Sequence, residues 1–108
     1  MSNSTEYVVT VSVELKPLIP KFMKSRKLDI DKLISALGRK DLGTIAGIAH
    51  KIKGNAGSFG FDDFGRLAQA LEREVKTENY PKMEVLITTM KEYINTAKIA
   101  YIEEQKSA

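Results

Sequence analysis

The amino-acid sequence predicts an all-α fold, an antiparallel up-and-down four-helix bundle with an extended N-terminal arm. Between residues 18 and 101, apolar side chains recur mostly at spacings of three and four, as on one face of a helix. Proline or aspartate stands where these segments would begin, and glycine stands where two of them would end. The connections are short, which makes neighbouring helices antiparallel. We therefore assign an arm at 1–14 and a bundle at 15–105, and we expect the tail 103–108 to fray.

The arm and the first helix are predicted from strand-like residues followed by prolines. The run 7–13 has the composition of a strand, but no later segment looks like a pairing partner, and an isolated strand is unstable. We therefore predict an extended arm packed on the bundle. Pro17 and Pro20 suit a first helical turn, and the helix is expected to run to Leu37, with Gly38 as its stop.

The other three helices follow from capping residues. Asp41 is the predicted N-cap of the second helix, and Gly60 is expected to end it. The third helix opens at Asp62, because acidic side chains are favoured at the positive end of the helix dipole. The last helix begins at Pro81 and is predicted to continue as far as Tyr101, since its apolar residues keep helical spacing that far.

Composition and charge exclude several classes of function. A chain of 108 residues is one domain's worth of protein. It has no cysteine, which excludes disulfides, a catalytic thiol and cysteine-ligated metal sites. We find no targeting segment and no apolar run long enough to cross a membrane. We therefore expect a cytoplasmic protein that does not bind a membrane, and the net charge of only +3 does not indicate nucleic-acid binding. We expect a monomer because the small bundle has no spare apolar stripe.

The glycines are clustered around the only histidine, His50. All seven lie between Gly38 and Gly65. Residues three and four positions apart share a helix surface. At those distances from His50 lie Ala46, Gly47, Lys53 and Gly54, and one turn further out on either side lie Gly43 and Gly57. Each helical glycine costs about 1 kcal/mol relative to alanine, so local folding does not explain them. We predict an exposed imidazole on a flattened surface; for Gly43 and Gly57 the alternative is that they admit a neighbouring helix.

The chemistry open to a solitary exposed imidazole is narrow. One histidine cannot form the multi-histidine sites of zinc or di-iron proteins, so no metal site is expected. Small residues surround the ring, and no serine is placed for an acyl-transfer triad. Nucleophilic use of the neutral ring remains, and phosphoryl transfer suits it. Lys53, one turn on, would offset charge on the phosphoryl oxygens, and Lys51 would add positive potential more loosely.

The source of the phosphoryl group is predicted to be another protein. The sequence contains no glycine-rich nucleotide-binding motif, so the group would not come from ATP. We therefore expect a phosphocarrier intermediate rather than an enzyme, with no cofactor of its own.

Three segments around the histidine resemble a known family. These are 50–54 (His-Lys-Ile-Lys-Gly), 55–60 (Asn-Ala-Gly-Ser-Phe-Gly) and 67–72 (Leu-Ala-Gln-Ala-Leu-Glu). They closely resemble the histidine-containing phosphotransfer (Hpt) domains of bacterial multistep phosphorelays, and the resemblance extends over about 15–101. Its specific centre is a histidine with lysine at +3 and glycine at +4 and +10, placed in a four-helix pattern.

The resemblance implies roles for individual residues and partners. It implies that His50 is phosphorylated, that Lys53 supports the phosphoryl group and that Gly54 leaves room for a partner. It also implies that Glu72, where the family often has Gln or Glu, orients the ring through Nδ1 from the adjacent helix. Gln69, one turn earlier, is a second candidate; for both, the alternative is a solvated helix face. The implied partners are receiver domains of response regulators or a hybrid sensor histidine kinase, and any Mg²⁺ would belong to the receiver.

Two other functions stay open from the sequence. The first is a helical adaptor that binds a partner without phosphoryl chemistry, in which His50→Ala would leave signalling intact. The second is nucleic-acid binding through a basic run without interleaved aromatic residues, comprising Lys16, Lys21, Lys24, Arg26 and Lys27. A steep loss of nucleic-acid affinity with added salt would support that second function.

Overall fold

The protein is described by a computed structural model that covers residues 7–103. Its helices are α1 (Ile19–Gly38), α2 (Leu42–Asn55), α3 (Asp62–Lys76) and α4 (Tyr80–Thr96), and its strands are β1 (Val8–Ser12) and β2 (Lys98–Ile102). Short 3₁₀ turns occupy Val13–Leu18 and Gly57–Phe59. Each helix packs on the next and α1 also packs on α4, which closes the bundle. The predicted all-α four-helix fold is confirmed.

α2 and α3 begin at the predicted residues, whereas Pro17 lies in the 3₁₀ turn that precedes α1, and α4 begins at Tyr80 instead of Pro81. Asp41 caps α2, its carboxylate accepting from the backbone N–H of Thr44 at 3.2 Å. Asn79 caps α4 by accepting from the backbone N–H of Lys82 at 3.1 Å. Prolines stand in the first turn of α1 and of α4, where a missing N–H costs no hydrogen bond. Each of these signals acts within one turn of chain, which is why the sequence reveals it.

Gly60 makes the turn between α2 and α3 possible. Its φ of 84° lies in the left-handed region, which side chains disfavour. A Cβ there would lie 2.4 Å from the carbonyl oxygen of Thr10, so the turn also needs glycine to lie against β1. The α-helix itself ends earlier than predicted, at Asn55, and the segment Gly57–Phe59 continues as a 3₁₀ turn.

The expectations for the two ends of the chain are partly wrong. The arm does have a partner: β1 pairs in parallel with β2, with Val9 opposite Ile99 and Val11 opposite Tyr101. Consequently α4 ends at Thr96 instead of reaching Tyr101. The five residues 98–102 are too few for the spacing of their apolar side chains to distinguish a helix from a strand. Tyr101 fits both the helical period of 3.6 residues and the strand period of two. The rest of the predicted arm and tail, 1–6 and 104–108, lies outside the described residues.

The core lies between the four helices and the inner face of the strand pair. The side chains of Val9 and Val11 are buried, so β1 closes one side of the bundle. Tyr93 of α4 joins the strand pair to the helices, because its ring packs on Tyr7 at 4.5 Å and on Phe64 at 5.7 Å between centroids. Because the arm is anchored on α4 in this way, it belongs to the folded unit.

The burial of Tyr93 predicts a pH effect on stability. Desolvation, with smaller contributions from Asp63, Asp62 and Tyr7, raises the pKa of Tyr93 to about 12. An unfolded tyrosine ionises near pH 10. The contribution of Tyr93 to the free energy of unfolding is therefore fully present below about pH 10 and is lost as the pH rises to about 12. We expect the free energy of unfolding to fall less steeply over that range in Tyr93→Phe, by urea denaturation at each pH. Equal slopes in the two proteins would contradict this account.

Candidate functional site

His50 stands on the outer surface of α2, with 71% of its side chain exposed. A methyl group at Gly47 or Gly54 would meet no heavy atom within 4 Å outside the neighbouring helix backbone, so no packed helix requires these glycines. At Gly43 the nearest such atom is Asp41 Oδ1, in the helix's own cap, at 3.9 Å. The ring is therefore surrounded by open surface, as the clustered glycines predict.

Two other glycines do serve packing. A Cβ at Gly57 would lie 3.3 Å from Asp62 Oδ1, at the start of α3, so the packing alternative fits this residue. Gly65 of α3 is buried, and a Cβ there would lie 3.5 Å from the Cβ of Ala56. Gly65 thus lets α3 approach α2 closely. The sequence analysis assigned no role to Gly65; its spacing from the apolar residues of α3 was the available signal.

Glu72 of α3 faces the ring of His50. Its Oε2 lies 3.1 Å from His50 Nδ1, while 24% of the Glu72 side chain is exposed. The hydrogen bond from Lys53 lowers the pKa of Glu72, and the contact with His50 adds to this effect. Glu72 is consequently ionised at neutral pH, and a carboxylate can only accept hydrogen bonds. The neutral ring therefore carries its proton on Nδ1 and has its lone pair on Nε2.

Lys53 lies on the same side of α2, one turn after His50. Its Nζ donates to Glu72 Oε1 at 3.2 Å, and 40% of its side chain is exposed. The carboxylate of Glu72 thus accepts a hydrogen bond from the ring with one oxygen and from the ammonium of Lys53 with the other. In this resting arrangement the ammonium is engaged with Glu72 and lies close to the ring. The three side chains form a cluster that joins α2 to α3.

The family of the chain is shown by comparison with known proteins. The family model of the Hpt domain matches residues 18–100, which is well over half of the 108 residues. The chain belongs to the Hpt domain family. Searches of curated proteins and of solved structures gave no significant match. Hpt domains carry phosphoryl groups in two-component phosphorelays, where they interact with receiver domains and kinases, and they are carriers rather than catalysts.

Lys51 of this Hpt domain points away from the histidine. Its Nζ donates to Asp29 Oδ1 at 2.7 Å, which ties α2 to α1 on another side of the helix. Asp29 is 2% exposed and also accepts from Arg26 Nε at 2.9 Å. Arg26 in turn donates to Asn55 Oδ1 at 3.0 Å. The structure therefore does not bring Lys51 to the ring, and it reveals a charged network that the sequence analysis missed.

Gln69 is not the residue that contacts the ring. It lies one turn before Glu72, in an open groove between α2 and α3 that Lys53, Gly57 and Arg66 also line. The hydrogen bond to Nδ1 comes from Glu72, the first of the two candidates. Gln69 is exposed, in keeping with the alternative of a solvated helix face.

Of the five cations in the basic run 16–27, one is buried and four are exposed. Arg26 is 8% exposed and its guanidinium lies over the ring of Phe22, 5.0 Å from the centroid. Lys16 lies over the ring of Tyr101 at 5.2 Å. Arg26 is thus held within the fold, whereas Lys16 stays exposed beside Tyr101 and the run offers four cations at the surface.

Residues 7–103 of this Hpt domain contain neither a metal-binding cluster nor a helix that could span a membrane. Within that range, no group of three or more His, Cys, Asp or Glu side chains is arranged to hold a metal ion. No helix in the same range has the length and apolarity needed to cross a membrane.

Proposed function

We propose that this Hpt domain accepts a phosphoryl group on Nε2 of His50 from an aspartyl phosphate of a receiver domain and passes it to another receiver. The observation that carries the proposal is the hydrogen bond of 3.1 Å between Glu72 and Nδ1, which leaves Nε2 as the nucleophilic nitrogen of a ring that is 71% exposed. Membership of a carrier family supports the same chemistry.

The accepting step uses the lone pair of Nε2. It attacks phosphorus, a P–N bond forms, and the P–O bond of the aspartyl phosphate breaks, so the receiver's aspartate leaves as a carboxylate. The ring becomes positively charged and keeps its proton on Nδ1, which donates a hydrogen bond to the carboxylate of Glu72. We further propose that the domain brings no cofactor and that any Mg²⁺ is held by the receiver.

The surface around His50 suits the approach of a second protein. A receiver must place its phosphoaspartate within bonding distance of Nε2, and side chains at Gly47 or Gly54 would project into the open space beside the ring. The ammonium of Lys53 lies within reach of the incoming oxygens once it leaves Glu72. The glycines thus provide room and the lysine provides charge.

A labelling experiment tests the proposed function. Purified protein is incubated with receiver domains that carry a radiolabelled aspartyl phosphate, and the label is followed after separation of the two proteins. We expect label on the Hpt domain that acid removes and alkali leaves, as for a phosphoramidate. A protein that stays unlabelled with every receiver from its own cell would overturn the proposal.

Replacing Lys53 with alanine is expected to slow acceptance about tenfold without unfolding the domain. A single cation at a developing phosphoryl charge contributes substantially to catalysis, although solvent screens an exposed one. The rate of labelling and the circular dichroism spectrum are measured together. Lys76→Ala, an exposed lysine at the end of α3, serves as the control and should transfer at the wild-type rate. Loss of helicity in Lys53→Ala, or an unchanged rate, would contradict this role.

A further inference from the structure

We propose that Glu72 determines how readily the phosphoryl group leaves His50, by holding a proton on Nδ1 of the phosphorylated ring. This inference rests on the proposed function and adds a second role to a residue that the resting structure shows in contact with the ring. Glu72 acts through His50 and is therefore a positioning residue. The inference concerns the loss of the phosphoryl group, whereas the proposed function concerns its arrival.

The chemistry of the leaving group links the proton to the rate. When a carboxylate or a water attacks phosphorus, the P–N bond breaks and its electron pair returns to Nε2 of His50. If Nδ1 is protonated, the ring departs as neutral imidazole. If Nδ1 has lost its proton to solvent, the ring would have to depart as imidazolate, a far more basic and poorer leaving group. Protonation of Nδ1 therefore separates a transferable phosphoryl group from a trapped one.

The geometry gives Glu72 control of that proton. Oε2 lies 3.1 Å from Nδ1, on the far side of the ring from Nε2, so phosphorylation of Nε2 leaves this contact in place. The charged or titratable groups that act on Glu72 are Lys53 and His50, both from α2. As the ammonium of Lys53 turns toward the phosphoryl oxygens, the carboxylate is left to the cationic ring alone.

A carboxylate and an amide differ sharply at this position. The single carbonyl oxygen of glutamine can accept the hydrogen bond from Nδ1, but the amide then turns its NH₂ group toward Lys53 and loses that second contact. Only the carboxylate offers a full negative charge to the protonated ring, and an opposite charge at hydrogen-bond distance favours a protonated group by about one pH unit or more. The glutamine variant should therefore lose the Nδ1 proton at lower pH.

The test uses potassium phosphoramidate, a small donor that phosphorylates exposed imidazole without a partner protein. The phosphorylated wild type and Glu72→Gln are purified, and ³¹P NMR follows the hydrolysis of the phosphoryl group between pH 5 and 9. We expect the midpoint of the pH profile to fall by about one unit in Glu72→Gln, so that hydrolysis at pH 8 becomes about tenfold slower. Both proteins are brought to the phosphorylated state with the same donor before the assay, so a difference in acceptance does not enter the comparison.

The matched control is Glu74→Gln, which removes the same charge two residues along α3. The Glu74 carboxylate accepts from Thr77 Oγ1 at 3.3 Å, away from the histidine, so this variant should keep the wild-type profile. Coincident profiles for wild type and Glu72→Gln would overturn the inference and leave the proposed function standing. A shift of equal size in Glu74→Gln would also overturn it, because a general charge effect would then suffice. Failure of receivers to label the wild type would remove both proposals.

Discussion

Replacing His50 with glutamine is expected to reduce phosphoryl labelling to background. The amide nitrogen of glutamine has its lone pair delocalised into the carbonyl group, so it cannot take the place of Nε2 as a nucleophile. The fold should be unaffected because 71% of the His50 side chain is exposed, and substitutions at exposed positions usually change stability by less than about 0.5 kcal/mol. Labelling and thermal unfolding are measured on the same preparations.

This variant also separates the phosphocarrier from the adaptor. An adaptor that binds through its bare surface would keep its binding and its signalling in His50→Gln, because the ring would be a bystander. The phosphocarrier keeps receiver binding but loses transfer. Undiminished labelling of His50→Gln would show that the phosphoryl group resides elsewhere, and it would contradict the role proposed for this residue.

Replacing Asp29 with alanine is expected to lower the free energy of unfolding by about 3–5 kcal/mol, the range for breaking a buried ion pair. Asp29 is 2% exposed, and its two carboxylate oxygens accept hydrogen bonds from Arg26 and Lys51. Without it, Arg26, which is 8% exposed, keeps a buried charge with only Asn55 as a hydrogen-bond partner. Lys51 can return to water because 49% of its side chain is exposed.

Urea denaturation compares this variant with two others. Asp31→Ala removes an exposed carboxylate from the same helix and should change stability by less than about 0.5 kcal/mol. The double variant Arg26→Met/Asp29→Leu replaces the pair with apolar side chains and should recover much of the loss, since buried pairs are often replaceable. A loss below about 1 kcal/mol in Asp29→Ala would contradict the view that this network holds α1 against α2.

The starts of α2 and α3 could be predicted because their signals are local. Asp41 accepts from the backbone N–H of Thr44, three residues along the chain, and Gly60 supplies a positive φ within its own turn. The pairing of β1 with β2 joins residues about ninety positions apart, and no local pattern reports it. The segment 98–102 was therefore read as the end of a helix.

In the candidate site, too, the features that depend on local spacing could be predicted, and the contacts between helices could not. The open surface around His50 and the position of Lys53 were predicted from helical spacing. The contact with Glu72 joins α2 to α3, and only the family resemblance implied it. The partner of Lys51 could not be predicted because Asp29 lies on another helix. A signal was present: Arg26 and Asp29 occupy positions within the apolar stripe of α1, where charged residues need buried partners.

In the proposed mechanism, Glu72 holds Nδ1 and thereby leaves Nε2 of His50 to carry the phosphoryl group. NMR of protein with ¹⁵N-labelled histidine, before and after incubation with phosphorylated receivers, tests it directly. The account predicts a proton on Nδ1 in the free protein and, after transfer, coupling of phosphorus to Nε2. Phosphorus on Nδ1, or a ring that stays unmodified, would contradict it.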